Sequence, residues 1–320
     1  MQSYIFRRVT LFFPTLIIVS VIIFAIMRVL PGNVAVLILV GPNGENRYSA
    51  EEVKEVEKEL GLDQPVPVQY LNWMRGVLTL DFGESVIQNS PVASDVMHRF
   101  LRVTLELALL TMVIALTIAI PSGVIQAVYQ GSVWDYVLRF ITIGGIAMPS
   151  FVFGSLLLIA AVRYFGWLPP LGYVPFWDDP ITNLKQMILP ALTLGYIFAA
   201  STARMVRSSM LEVLREDYVR TARAKGLRDS TVIIRHAVRN GLLPVITIVG
   251  AQIGGLLGGT VISETLFNLP GVGRSAIDAI NNRDYPLVQF IVLMYAVIFM
   301  TVNLLVDLAY GAIDPRIRYA

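Results

Sequence analysis

The sequence contains no cysteine, two histidines and few charged residues. Without cysteine the chain has no disulfide, thiolate metal site or cysteine nucleophile. Charged residues make up 15% of the chain, against about 25% in an ordinary soluble domain. The net charge of +2 is too small to favour a nucleic-acid partner. The mean hydropathy is +0.66, and a chain this apolar cannot cover itself with polar surface in water. Its composition therefore indicates lipid as the solvent.

Signatures of independent catalysis and of independent transport are also missing. No G-x-x-x-x-G-K-[ST] loop is present to cradle phosphates, so the chain is not expected to hydrolyse ATP. No nucleophile stands with a base, and His98 and His236 are isolated, which disfavours an intramembrane enzyme or a metal site. A stand-alone secondary transporter or channel would need inverted repeats, a coupling charge or a filter. None is visible, and this function remains the alternative.

What the chain does contain is a set of six long apolar stretches. The predicted membrane spans are Val9–Leu30, Val103–Val128, Val137–Val162, Met187–Ala203, Leu242–Ile262 and Leu287–Leu308. Each is expected to be a helix, because the bilayer core offers no water to satisfy backbone N–H and C=O groups. The first stretch is followed by no small-x-small cleavage site and is interpreted as an uncleaved membrane helix. The prediction is an all-α membrane protein of about six transmembrane helices.

Lysine and arginine are distributed unevenly over the segments between these spans. With the N-terminus inside, the short inside segments hold thirteen of them, nine lying between Arg204 and Arg239, whereas the short outside loops hold four. Cytoplasmic segments of membrane proteins carry the excess of Lys and Arg. Both termini are therefore predicted to be cytoplasmic.

The spans divide the chain into four predicted regions. Residues 1–30 form an N-terminal tail and the first helix, and residues 31–102 form an extracytoplasmic helical subdomain with ten acidic residues. In that subdomain Ser49 and Glu52 are spaced as a capping box, and Gly61 is placed to stop the helix. Residues 103–310 form a five-helix core that includes a cytoplasmic loop, 204–241, and residues 311–320 form a cytoplasmic tail.

The loop 204–241 is predicted to form two short helices separated by Gly226, which can adopt a positive φ without a Cβ penalty. Apolar or small residues are placed on one face of the first helix: Leu211, Leu214, Tyr218 and Ala222. Asp229 and Ser230 are positioned to cap the second. Such a hairpin suits docking into a groove of a partner protein. From the pattern alone, a basic loop lying on anionic lipid headgroups is the commoner case, and docking is the alternative.

The span Leu242–Ile262 is rich in glycine. Its glycines are Gly250, Gly254, Gly255, Gly258 and Gly259. Small residues at four-residue spacing let helix backbones approach closely. The glycines are interpreted either as static helix packing or as a seam that lines a pathway or meets a second membrane subunit.

The segment from Glu216 to Leu227, with its continuation from Arg239 to Pro244, resembles the cytoplasmic signature of ABC-transporter permeases. The resemblance is closest to the dipeptide and oligopeptide importer branch, and specifically to its B-type peptide permeases. The general motif is Glu-Ala-Ala, three residues and Gly; here Arg220-Thr221-Ala222 occupies the first slot and Gly226 the last, so the glutamate is missing. Further matching pieces are Leu30-Pro31-Gly32, Glu59 to Pro65, Asp81-Phe82-Gly83, Leu269 to Arg274, Arg283 to Pro286 and Asp314 to Arg318.

This resemblance implies a subunit of an importer in a bacterial or archaeal cytoplasmic (inner) membrane. It implies a second homologous permease, two cytoplasmic ATPase subunits that bind ATP and Mg, and an extracytoplasmic solute-binding protein, with no cofactor in this chain. The residues it assigns to ATPase coupling are Glu216, Asp217, Tyr218, Arg220, Thr221, Ala222, Ala224, Lys225, Gly226 and Leu227. The expected solute is a di- or oligopeptide or a similar small polar molecule; members of the branch also handle glutathione, nickel chelates, opines or sugars.

Overall fold

The computed structural model describes residues 2–29, 35–36, 39, 48–59, 61–88 and 90–313. Within these ranges the chain is almost entirely helical, apart from loops and one isolated β-bridge between Glu84 and Pro91. The predicted all-α class is confirmed. The motif pieces Leu30-Pro31-Gly32 and Asp314 to Arg318, and most of the predicted tail 311–320, lie outside the described residues.

The helices are α1 (Gln2–Val29), α2 (Ala50–Glu59), α3 (Val66–Leu78), α4 (Val92–Arg99), α5 (Leu105–Val128), α6 (Val133–Ala147), α7 (Ser150–Phe165), α8 (Pro180–Val213), α9 (Asp217–Ala224), α10 (Asp229–Gly241), α11 (Leu243–Leu266), α12 (Val272–Asn281) and α13 (Tyr285–Ile313). A π-helical turn, Phe100–Thr104, joins α4 to α5, and α10 is π-helical over Val232–Val238. Four helical stretches in the described ranges are long and apolar enough to cross a membrane, and up to six if the bent pairs α6–α7 and α10–α11 each count as one span.

The third predicted span, Val137–Val162, was expected to be one helix and is instead two, α6 and α7, bent by 112°. The break falls at Met148, whose backbone is extended, and Pro149. Proline disfavours the helical conformation in the residue before it and lacks an N–H for the helix ladder.

Both halves nevertheless contact α8. A Cβ on Gly145 of α6 would lie 2.8 Å from Cβ of Ala200, and a Cβ on Gly154 of α7 would lie 3.0 Å from Cγ2 of Thr193. The two helices on either side of the break therefore pack against the same helix, α8.

The fourth span is also longer than predicted. Met187–Ala203 was expected, and α8 runs for 34 residues. The turns of α8 outside the predicted span have low hydropathy because they carry polar side chains, including Asn183, Gln186 and Ser209. These polar side chains are buried within the protein. Only residues that face lipid need to be apolar, so a hydropathy pattern underestimates a helix surrounded by other helices.

By proximity, residues Met1–Leu101 and Gly271–Thr301 form one compact unit, and Arg102–Pro270 and Val302–Ala320 form another. In the first unit the predicted capping box is present: the Ser49 amide donates to the Glu52 carboxylate at 2.6 Å, and the Glu52 amide donates to Ser49 Oγ at 3.2 Å. These bonds hold the pKa of the Glu52 carboxyl below its usual value. Gly61 has a φ of +64°, as expected of a helix stop. The four sequence-based domain regions remain predictions.

The second unit is built around α8. One core cluster joins α5, α8 and α11 through Leu107, Met187, Leu194 and Leu256. A second cluster lies at the other end of α8 and contains Val206, Met210, Ala237 and Val245 among its members. This second cluster fixes the position of the segment between α8 and α11.

Candidate functional site

The segment that follows α8 is a compact helical hairpin. It consists of α9, a turn and α10, with Gly226 in the turn at a φ of +78°. Gly226 N–H donates to Arg223 O at 2.9 Å and Leu227 N–H to Ala222 O at 3.4 Å, the bond pattern of a Schellman C-cap. A Cβ at Gly226 would meet no atom within 4 Å. Glycine is therefore favoured here by backbone conformation and not by lack of space.

The inner face of the hairpin packs against the end of α8. Val219 and Val232 are fully buried and Ala222 is 7% exposed, and partly buried Val213 and Leu214 pack against them. The sequence pattern placed Leu211 and Leu214 on the first hairpin helix; this prediction is wrong, because α8 ends at Val213 and a turn precedes α9.

The far end of α10 is attached to the same helix. A Cβ on Gly241 would lie 2.7 Å from Sδ of Met210 in α8, a separation far below ordinary contact. Ala237, in the π-helical part of α10, is buried beside Met210 and Val245. Apolar packing thus fixes both ends of the hairpin to α8, and a force applied to the hairpin acts on that helix.

The outer face carries most of the residues that the sequence assigned to coupling. The exposed members are Glu216, Asp217, Tyr218, Arg220, Thr221, Ala224, Lys225, Gly226 and Leu227. Ala222 is the exception, since it lies inside the hairpin and contributes to packing. Two large apolar side chains of the assigned set, Tyr218 and Leu227, are each about two-fifths exposed.

The sequence-based prediction missed Ile234, which is 69% exposed. It lies in α10 two positions after buried Val232. In a helix, residues two apart point away from each other, so Ile234 is exposed because Val232 is buried. The apolar run Val232-Ile233-Ile234 does not by itself show which member is exposed.

Charge on the outer face is predominantly basic. Arg220 pairs with Asp217 at 3.4 Å, and Arg223 pairs with Asp229 at 3.3 Å. All four side chains are well exposed, and exposed pairs contribute about 0–1 kcal/mol. Asp229 was expected to cap α10, and this prediction is wrong. The helix begins after Arg228 with no side-chain cap, and Asp229 pairs with Arg223 instead. Exposed apolar side chains among basic residues have the composition of a docking surface.

The glycines of α11 do not share one environment. Gly250 is buried, and a Cβ there would lie 2.2 Å from Val306 Cγ2. Gly254 is buried too, whereas Gly255 and Gly258 are exposed with no atom within 4 Å of a Cβ. The surroundings of Gly259 lie outside what the structure describes. Static packing therefore describes Gly250, and the seam hypothesis applies to the exposed glycines.

The sequence-based prediction also missed Asp135, a carboxylate that is 1% exposed and pairs with Arg139 and Arg207. Its position one helical turn before Arg139 was the available signal, since i,i+4 acid–base pairs meet on a helix. Its contact with α8 could not be inferred from the sequence. Among the described residues, no group of three or more His, Asp or Glu could hold a metal ion.

Comparison with known proteins gives a family for this arrangement. Residues 119–319 match the family described as binding-protein-dependent transport system inner membrane component, and residues 1–108 match the N-terminal part of binding-protein-dependent transport system membrane components. Together the two matches cover almost the whole chain.

Individual relatives are similar over their full length. The dipeptide transport system permease protein of Escherichia coli (strain K12) is 42% identical over 100% of this chain and 99% of its own. The corresponding dipeptide protein of Alkalihalophilus pseudofirmus and the glutathione transport system permease protein of E. coli (strain K12) are each 40% identical over 100% of both chains. A crystal structure of an amino acid ABC transporter with histidines has a TM-score of 0.51 at 16% identity, covering 65% of this chain and 90% of that one. At that identity the likeness concerns the fold alone.

Proposed function

The chain belongs to the family of binding-protein-dependent transport system inner membrane components, and we propose that it forms one half of a membrane pathway for di- or oligopeptides. It is a membrane-spanning permease subunit of an ABC importer. The proposal adds the solute, the partners and the role of the hairpin. The other half of the pathway is a second, homologous permease.

The hairpin carries the proposal for energy coupling. Its outer face presents Tyr218, Leu227 and exposed basic side chains, while its inner face is packed against α8. We assign this outer face to a groove of a cytoplasmic ATPase subunit, with two such subunits in the complex. A rigid-body movement of the ATPases would then move the end of α8 and change helix packing in the membrane. This assignment places the hairpin and both termini on the cytoplasmic side, in agreement with the excess of Lys and Arg.

The chain itself is proposed to be non-catalytic. It has no phosphate-binding loop, so ATP and Mg would be bound by the ATPase partners. We propose no cofactor for this chain. The membrane is the cytoplasmic (inner) membrane of a bacterium or archaeon, and an extracytoplasmic binding protein delivers the solute.

A peptide-like solute is supported by the relatives, whose names refer to dipeptide and glutathione transport. Both solutes carry amide groups, and each unsatisfied polar group costs several kcal/mol in hydrocarbon. Such a molecule needs a lined pathway, and two permeases facing each other can provide one. Selection among peptides would rest on the binding protein.

The first test is a mild-detergent pull-down of the tagged chain from its native membranes, analysed by mass spectrometry. Recovery of two ATPase subunits with phosphate-binding loops and a second permease is expected. Recovery of the chain alone, or only as a homo-oligomer, would contradict the proposed partners.

The second test substitutes Gly226 in the reconstituted complex. Gly226→Val places a β-branched residue at positive φ, whereas Gly226→Asn introduces a residue that tolerates this conformation. Gly226→Val should insert normally but hydrolyse ATP without solute uptake, and Gly226→Asn should stay close to the natural protein. If the Gly226→Val complex takes up solute as fast as the natural complex, the turn has no role in coupling.

A further inference from the structure

A buried carboxylate joins α6 to α8. Asp135, in the first turn of α6, is 1% exposed. Its carboxylate accepts from the backbone N–H of Gly131 at 3.0 Å and from Arg139 at 2.7 Å. It also accepts from Arg207 of α8, at 3.2 Å from Nε and 3.4 Å from Nη2. Three donor residues from two helices and a turn therefore meet at one side chain.

The two arginines hold this carboxylate in different ways. Arg139 lies on the same helix as Asp135 and is 40% exposed, so this pair fixes the side-chain conformation without linking helices. Arg207 is 22% exposed and comes from α8, so its pair with Asp135 is a bond between helices. A buried carboxylate is stable only where several hydrogen-bond donors replace the water it has lost. Gly131, Arg139 and Arg207 are those donors for Asp135.

The position of Arg207 near the end of α8 determines which helices this bond connects. Arg207 lies in the last two turns of α8, which ends at Val213 and carries the hairpin. On the other side, α6 is the first helix of the bent pair α6–α7. The bond therefore connects the helix that receives force from the hairpin with the helix pair that is bent at Pro149.

We propose that Asp135 and Arg207 form an interhelical clamp through which movement of the hairpin is passed from α8 to the bent pair α6–α7. The clamp residues are positioning residues, and the inference rests on the proposed role of the hairpin in coupling. When the clamp is broken, α8 moves without carrying α6 with it. ATP hydrolysis by the partners then continues while the pathway responds less.

The test uses the complete importer in proteoliposomes, with ATP hydrolysis and solute uptake measured on the same preparation. Asp135→Asn and Arg207→Gln should assemble and hydrolyse ATP but import about fivefold less solute per ATP than the natural complex, the lower end of common coupling effects. The double variant should import no less solute per ATP than the weaker single variant, because each single variant already breaks the pair between Asp135 and Arg207. Arg207→Lys keeps the charge and should retain more coupling than Arg207→Gln.

Two matched variants separate the clamp from a general effect of charge. Arg139→Gln removes the pair within α6, and Arg204→Gln removes an exposed arginine one turn earlier on α8. Both should keep the natural amount of solute imported per ATP. Three results would overturn the proposal. Arg207→Gln could import as much solute per ATP as the natural complex, Arg139→Gln could lose as much uptake per ATP as Arg207→Gln, or the losses of the two single clamp variants could add in the double variant.

A distance measurement tests the clamp without relying on transport. Because the chain has no cysteine, spin labels can be attached to Val133→Cys and Ser208→Cys, both exposed positions at this end of α6 and α8. The distance distribution should broaden in Arg207→Gln and stay narrow in Arg139→Gln. An unchanged distribution in Arg207→Gln would refute the clamp itself. Absence of ATP-driven uptake in the natural complex, with this broadening present, would instead refute the proposed function.

Discussion

Substitution of Gly250 by alanine tests how tightly α11 packs in the second unit. A Cβ at this position would lie 2.2 Å from Cγ2, 2.6 Å from Cγ1 and 2.9 Å from Cβ of Val306 in α13. Carbon atoms in contact prefer a separation of about 3.5–4.0 Å. Rotation of the valine side chain cannot relieve the overlap with its own Cβ, so the helices themselves must separate.

The expected effect of Gly250→Ala is a loss of about 1–3 kcal/mol, the usual range for overpacking a core. A change of one or two kcal/mol shifts the folded-to-unfolded ratio by a factor of about 5–30. Gly255→Ala is the matched control, because Gly255 lies on the same helix and a Cβ there meets no atom within 4 Å. Alanine is favoured over glycine in a helix by about 1 kcal/mol, so this control should be as stable as the natural chain or more so.

The measurement is thermal unfolding of the purified subunit in detergent, followed by circular dichroism. Gly250→Ala should lower the midpoint, and Val306→Ala in the same chain should restore part of it by removing both Cγ atoms. Residues in contact commonly show a non-additive energy of about 0.5–3 kcal/mol. Equal midpoints for Gly250→Ala and Gly255→Ala, or purely additive losses with Val306→Ala, would show that the two helices do not pack at Gly250.

Two further predictions concern polar groups outside the hairpin. Hydrogen bonds from the Thr182 hydroxyl and amide hold the pKa of Asp179 below its usual value, so the stability they give α8 is complete above about pH 4 and is lost as the pH falls through the lower folded pKa. Protection of the Thr182 amide against hydrogen exchange, corrected for intrinsic rates, should fall at low pH in the natural chain. It should not change with pH in Asp179→Ala, and the same pH dependence in both proteins would contradict the prediction. Asp284 is buried and accepts from Ser85 Oγ at 2.5 Å, so Ser85→Ala should cost about 1–3 kcal/mol. The exposed Ser94→Ala should cost almost nothing in the same thermal assay, and equal midpoints for the two would refute the importance of the buried bond.

Much of the candidate site follows from local sequence. The positive φ of Gly226 and the two flanking helices were predicted, because the Schellman turn depends on bonds within a few residues of the chain. The division between inner and outer faces was predicted less well. Leu214 was assigned to the wrong helix and Ala222 proved to be buried, since both errors concern where α8 ends and what packs against it.

The sequence by itself determined that the protein is an all-α membrane protein, which apolar stretches become helices, and where the hairpin turns. These properties depend on composition, local periodicity and single residues such as Gly226. It also carried the family resemblance, because the order of short motifs along the chain is itself sequence information.

Only the tertiary structure decided which helices are broken or extended and which polar groups are buried. The pair α6–α7 is bent at Pro149 while both helices contact α8, and buried Asp135 pairs with an arginine 72 residues away. Likewise, Gly250 meets Val306 while Gly255 on the same helix meets nothing. The physical reason is common to all three. Hydropathy and periodicity sum over neighbours in the chain, whereas burial, close approach and charge pairing depend on side chains that folding brings together from distant positions.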